Sequence, residues 1–234
     1  MTINGTQYGS WAKVPLQDIG SESVVYSFGA GEDICYEFLL SGLCDPEIHI
    51  FDPTPRSVEH YEYCSKMFTG ETNPIQDIRF GGGDLRYNNL IINSNANLSK
   101  LSFHDYGLYN ENSSFKFFYP RNKDHISLSI DNLQNTNDYI DLDVKKIDTI
   151  LEELGHSHID LLKLNIEGAE VKSLLHMMKD TEIRPSYVAV KFELVRNNNS
   201  ESTSLISEIK RVLLQEYEVV YTDKIENYTL KFKD

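Results

Sequence analysis

The stretch that most constrains the fold runs from Val24 to Lys66. Val24-Val25-Tyr26-Ser27-Phe28 is a short apolar run ending at Gly29-Ala30-Gly31, and behind Glu32-Asp33 the apolar residues Ile34, Phe38, Leu39 and Leu43 follow. That order predicts strand, glycine turn and helix. Ile48-His49-Ile50-Phe51 repeats the strand and stops at Asp52-Pro53. A helix is expected from about Pro55 to Lys66, with Thr54 placed to cap its start. Two βα units in direct succession imply a parallel sheet.

Between Thr69 and Asn97, Gly and Asn abound and apolar pieces are short, which predicts irregular chain or short edge strands. Leu98 to Phe103 leads into Tyr106-Gly107-Leu108, and Phe115 to Tyr119 alternates as a strand after the polar turn Asn110-Glu111-Asn112. Further strands are expected at Asp141–Val144, His158–Leu164 and Tyr187–Phe192, and helices at Ile147–Leu154, after Glu167-Gly168-Ala169-Glu170 to about Lys179, and at Leu205–Leu214. Tyr217–Tyr221 and Tyr228–Phe232 form a closing hairpin around Asn227. The βα series closed by an antiparallel pair fits a mixed, doubly wound sheet. At 234 residues the expectation is one domain over 1–234, with 1–22 as an N-terminal arm near the cofactor site.

Charge narrows the partners. Lys+Arg of 22 against Asp+Glu of 36 gives a net charge of −14, which opposes binding to a phosphate backbone or an anionic membrane. No apolar run approaches the ~20 residues a membrane span needs, and Met1 to Gly20 carries no apolar core of a secretory signal. The expectation is a cytoplasmic protein with a small-molecule or glycan substrate, no nucleic-acid partner and no membrane insertion. Cys35, Cys44 and Cys64 lack metal-site or disulfide spacing and read as reduced thiols.

Phe28-Gly29-Ala30-Gly31 lets backbone amides approach a ligand at a helix N-terminus. Asp52, about 20 residues on at the tip of the second strand, is where an acid bonds ribose hydroxyls. Together they point to an adenosine-containing cofactor. Ile34 occupies the position of the third glycine of a dinucleotide fingerprint, and Glu32 and Asp33 place negative charge where a pyrophosphate would sit. A sulfonium ligand with a free amino group suits this acidic turn better; an NAD-dependent oxidoreductase is the weaker alternative. His158 to Leu164 delivers Asn165 and Glu167 to the carboxyl edge of the sheet, although Glu167 and Glu170 also suit the electropositive start of a helix. His125, Ser127 and Ser129 share one face if extended, able to grip a hydroxylated substrate or simply to meet solvent. Tyr8 and Trp11 stack on a ring or tie down the terminus.

Several segments in order resemble the FkbM-like family of S-adenosylmethionine-dependent methyltransferases: Tyr8-Gly9-Ser10-Trp11, VVYSFGAGEDI from Val24, IFDPTPRS from Ile50, GLYNE from Gly107, HISLSI from His125 and IDLLKLNIEGAE from Ile159. The resemblance implies an α/β fold with a Rossmann-like, seven-stranded, mostly parallel sheet, helices on both faces and a C-terminal antiparallel hairpin. It also implies O-methylation, often of sugars. By analogy Gly29, Gly31 and Asp33 line S-adenosylmethionine, Asp52 takes the ribose and His104-Asp105-Tyr106 lies near the adenine, with Tyr8, Phe28, Ala30, Pro53 and Thr54 as further cofactor-binding candidates. Two positions depart from the pattern: Asn165 stands where an aspartate is usual, and Lys191 where a glutamate is expected. Neutral and cationic side chains are poor ligands for a hard cation, so a divalent metal is not favoured at the reaction edge. Glu167 is the first candidate base and Lys191 the second, with Asn165 orienting the acceptor. The two departures also admit a degenerate fold kept as a binding module.

Overall fold

The computed structural model describes residues 3–6, 10–73, 85–122, 128–130, 132, 134–192 and 200–233. Strand β1 (Val24–Phe28) is followed by helix α1 (Cys35–Cys44), β2 (Glu47–Phe51) and α2 (Pro55–Thr69), as the two βα units predict. Pro55 sits at the start of α2, and Gly70, at φ 77°, closes it in the left-handed conformation that glycine adopts without strain. Thr54 holds the N-cap position, but its hydroxyl turns away from the helix amides.

The stretch expected to be irregular or extended contains a helix instead, α3 (Leu85–Ile92). Its buried Tyr87 and Ile91 are four apart on one face, while Asn88 and Asn89, weak helix formers, mask the period. After β3 (Leu101–His104) come β4 (Gly107–Leu108), β5 (Ser113–Phe118) and β6 (Tyr139–Lys145), then α4 (Ile147–Leu154), β7 (Leu161–Leu164), α5 (Glu170–Asp180), β8 (Tyr187–Lys191), α6 (Ser200–Glu216), β9 (Tyr217–Thr222) and β10 (Asn227–Phe232). The hairpin turns before Asn227. Asp223 Oδ1 accepts from the amides of Ile225, Glu226 and Asn227, and Asn227 already belongs to β10.

Seven strands form the main sheet in the order β3-β2-β1-β7-β8-β10-β9. The first five run parallel, and β10 runs antiparallel to both β8 and β9. After β3 the chain crosses to the far side of β1, so the strand order reverses at β1 and β7. In open α/β sheets ligands bind outside the carboxyl ends of the strands at that point. A smaller sheet, β4-β6-β5, is inserted between β3 and β7.

Every residue of β1 is buried, because helices cover both faces of a parallel sheet. Tyr26, Phe28, Phe51, Leu162, Leu164 and Val190 pack under α4, α5 and α6. Val25, Ile48, Ile50, Leu161 and Ala189 pack under α1, α2 and α3, joined by Ala12, Val14 and Ile19 from the N-terminal segment. Adjacent strand residues go to opposite faces, as the two-residue period requires. Among the described residues no helix is long and apolar enough to cross a membrane.

Candidate active site

The carboxyl ends of β1, β2 and β7 are laced together. Gly29 N–H donates to Phe51 O at 2.9 Å, and Asn165 N–H donates to Phe28 O at 3.1 Å. Gly29 stands at φ 83°, and a Cβ there would lie 1.9 Å from the Asn165 carbonyl oxygen. The need for glycine at this point is therefore the close approach of β7 as much as access for a ligand. Gly31, at φ 53°, donates its N–H to Asp52 Oδ2 at 2.9 Å.

Asp52 sits at the tip of β2, as expected, only 6% exposed. Its Oδ1 accepts from the Thr54 amide at 2.9 Å and hydroxyl at 2.6 Å, which is where the capping hydroxyl has gone. Asp52 thus pins the glycine turn to the start of α2 with three of its roughly four acceptor positions. Asp33 is engaged too: it accepts from the Cys35 amide and from Thr6 Oγ1, tying the N-terminal segment to the turn. Glu32 pairs with Arg56 at 2.5 Å, so part of the turn's negative charge is compensated.

At the tip of β7, Asn165 Oδ1 is buried without a hydrogen-bond partner among the described residues. Glu167 adopts φ 52° and Gly168 φ 105°; the left-handed region is uncommon for a glutamate and marks local strain. Ser129 Oγ donates to Glu167 O at 2.8 Å, so one of the three polar residues of the 125–129 segment meets the candidate base. His125, Ser127 and Tyr8 lie outside the described residues. Gly168 N–H donates to Oε2 of the fully buried Glu170 at 2.8 Å, within the turn that leads into α5. Lys191 ends β8, and its Nζ lies 3.8 Å from Glu226 Oε1.

The segment expected near the adenine joins a row of rings. Phe28 stacks on Phe51 with centroids 4.3 Å apart, and Phe51 on His104 at 4.6 Å. Phe28 is fully buried in this row, so only its backbone is available to a ligand. Burial, assisted by neighbouring His49, lowers the His104 pKa to about 4, and burial pushes Tyr106 up to about 12; both are neutral at pH 7. Asp105 is exposed, and Pro53 packs beside Gly107.

Sequence reasoning missed a charged pair behind the turn. Lys163 Nζ lies 2.9 Å from Glu37 Oε1, and Ser27 Oγ donates to the same oxygen at 2.6 Å. Lys163 also lies 5.7 Å from the Trp11 ring centroid, which places Trp11 against the back of β7. The only signals were a lysine inside an apolar strand and a glutamate inside an apolar helix.

The sequence profile of the methyltransferase FkbM domain matches residues 18–220. Among solved structures, the chain is similar to the methyltransferase FkbM from Methylobacillus flagellatus KT, with 14% identity, a TM-score of 0.47, and 94% of this chain and 48% of that one covered. It therefore spans about half the length of that protein. It is also similar to an rRNA methylase from Streptococcus thermophilus, with 8% identity, a TM-score of 0.43, and coverage of 94% and 92%. No curated protein matches the chain.

Proposed function

The chain belongs to the methyltransferase FkbM domain family, and from that premise we propose that it transfers a methyl group from S-adenosylmethionine to an oxygen, a sugar hydroxyl of a glycan or glycoconjugate. The observation that carries this reading is the tip of β7. Among the described residues Asn165 Oδ1 is buried without a hydrogen-bond partner, beside Gly29 and two residues before the strained Glu167. Buried polar atoms are normally bonded, so an orphaned acceptor at the strand-order reversal suits a ligand that donates hydrogen bonds.

When bound, S-adenosylmethionine supplies an electrophilic methyl carbon on a sulfonium. The chain's own task is to hold an acceptor oxygen in line with that carbon at ~3 Å. In this proposal the backbone of Gly29 to Gly31, Asp52 and the 104–106 segment hold the cofactor. Asn165 orients the acceptor hydroxyl, and Glu167 removes its proton, a contribution of ~10²–10⁴-fold. Glu167 ranks ahead of Lys191, which would have to leave its ion pair with Glu226 to act as a base. With Asn165 and Lys191 at the edge, transfer is proposed to need no metal, and the same reading puts the reaction in the cytosol. The oxidoreductase alternative gains nothing: β10 is interposed between β8 and β9, unlike the 3-2-1-4-5-6 dinucleotide order.

Calorimetric titration with S-adenosylmethionine and S-adenosylhomocysteine, with and without EDTA, tests the reading. Micromolar binding, indifferent to EDTA and weakened about tenfold in Asp52→Asn through a charge-assisted bond to ribose, supports it, as does methyl transfer to sugar acceptors. Failure of the wild-type chain to bind either ligand would sink it, and binding without turnover on any acceptor would leave a cofactor-binding module.

A further inference from the structure

The end of β2 opposite Asp52 carries a second cluster that methyl transfer does not use. Glu47 opens β2, His49 lies two residues on and faces the same way, and His156 follows α4. Their potential ligand atoms all lie within 4.8 Å of one another. His49 Nε2 is 3.1 Å from Glu47 Oε1, and His156 Nε2 is 3.5 Å from the same oxygen. We propose that Glu47, His49 and His156 bind a divalent transition-metal ion of the zinc type.

Two features favour a metal over hydrogen bonds alone. Ligand bonds of about 2.0–2.1 Å in tetrahedral geometry put neighbouring donor atoms about 3.3 Å apart. The two measured separations bracket that edge; the 3.1 Å contact is also an ordinary hydrogen bond, whereas the 3.5 Å contact is long for an N–H···O bond, which falls near 2.7–3.2 Å. The outer nitrogen of each imidazole is also occupied. His156 Nδ1 lies 2.8 Å from Tyr26 Oη, and His49 Nδ1 lies 2.9 Å from His104 Nε2. If each Nδ1 carries the proton, both Nε2 lone pairs point at the ion, the arrangement in which outer partners fix the tautomer and aim of metal-binding histidines.

Two imidazoles and one carboxylate suit zinc rather than magnesium or calcium. The side chains of His49 and His156 are 6% and 13% exposed, and that of Glu47 is 50% exposed, so water has access as a fourth ligand. Three to five residues of strand rise put the β2 ligands about 10–16 Å from Asp52, and the site ties the start of β2 to the segment entering β7.

The test uses the tag-free protein stripped with chelator and titrated with zinc chloride. One equivalent should bind with a Kd in the micromolar range or below and raise the thermal midpoint, and magnesium chloride should do neither. Cobalt(II) should give visible bands of tetrahedral intensity without thiolate charge transfer. His156→Gln and Glu47→Gln should each weaken zinc by at least about 10²-fold, the upper end for loss of an outer partner, while far-UV circular dichroism stays native. Glu47, half-exposed at a strand end, supplies the decisive variant if His156→Gln does not fold. Absence of a zinc-induced shift, thiolate bands with cobalt, or undiminished binding in Glu47→Gln would overturn the proposal.

Discussion

A glutamate held at φ 52° costs the fold about 1–2 kcal/mol relative to a residue free to adopt that conformation, and function is the usual compensation for such strain. If Glu167 is the base, stability and activity separate at this residue. Glu167→Gln should lose ~10²–10⁴-fold in single-turnover rate with cofactor affinity retained. Glu167→Gly should be equally inactive yet unfold no more easily than wild type, because glycine relieves the strain. A Glu167→Gln enzyme with normal turnover would remove the residue from the chemistry. At this scale the sequence exposed Asp52, Asn165 and Glu167, since each follows an apolar run that had to be a strand. It concealed Lys163 with Glu37 and His49 with His156, because partners 126 and more than 100 residues apart meet only when β1, β2 and β7 lie side by side.

Among the elements, β1 is the keystone, and its end at Gly29 tolerates no side chain. Gly29→Ala would drive a methyl into the Asn165 carbonyl and should destabilise by about 2–5 kcal/mol from overpacking and left-handed strain. Gly20→Ala, where a Cβ would meet nothing within 4 Å, should leave the urea midpoint near that of wild type. The helices on either side of β1 depend on it differently. Lys163→Met leaves the Glu37 carboxylate buried without its cation and should cost roughly 3–5 kcal/mol, much of it restored by adding Glu37→Leu; a mild single variant would show that water reaches the pair. The βα units and closing strands were legible because their periods are short and uninterrupted. Helix α3 was not, since its buried face includes Asn88, a residue that pattern reading counts as polar surface.

Across the whole molecule the buried histidines contribute to the response to acid. Burial lowers the His60 pKa to about 4, so the folded chain keeps His60 neutral while the unfolded chain protonates it near pH 6.5. The unfolded state then binds the extra proton, and stability should fall by roughly 3 kcal/mol as pH drops from 6.5 to 4, with no further loss from this group below that. Chemical denaturation across this window should show the slope, reduced in His60→Gln; an unchanged slope in the variant would assign the effect elsewhere. The mixed sheet was legible from segment order and its seven strands through the family resemblance, whereas the path across the sheet was not, because hairpin residues do not state which strand lies inside. That path sets an order of assembly. Strand β9 is synthesised before β10 but lies beyond it, so it has no sheet to join until β10 has docked against β8. Until then the apolar edge of β8 stands open, and the newly made chain is most vulnerable to sticking to its neighbours just before β9 and β10 arrive together.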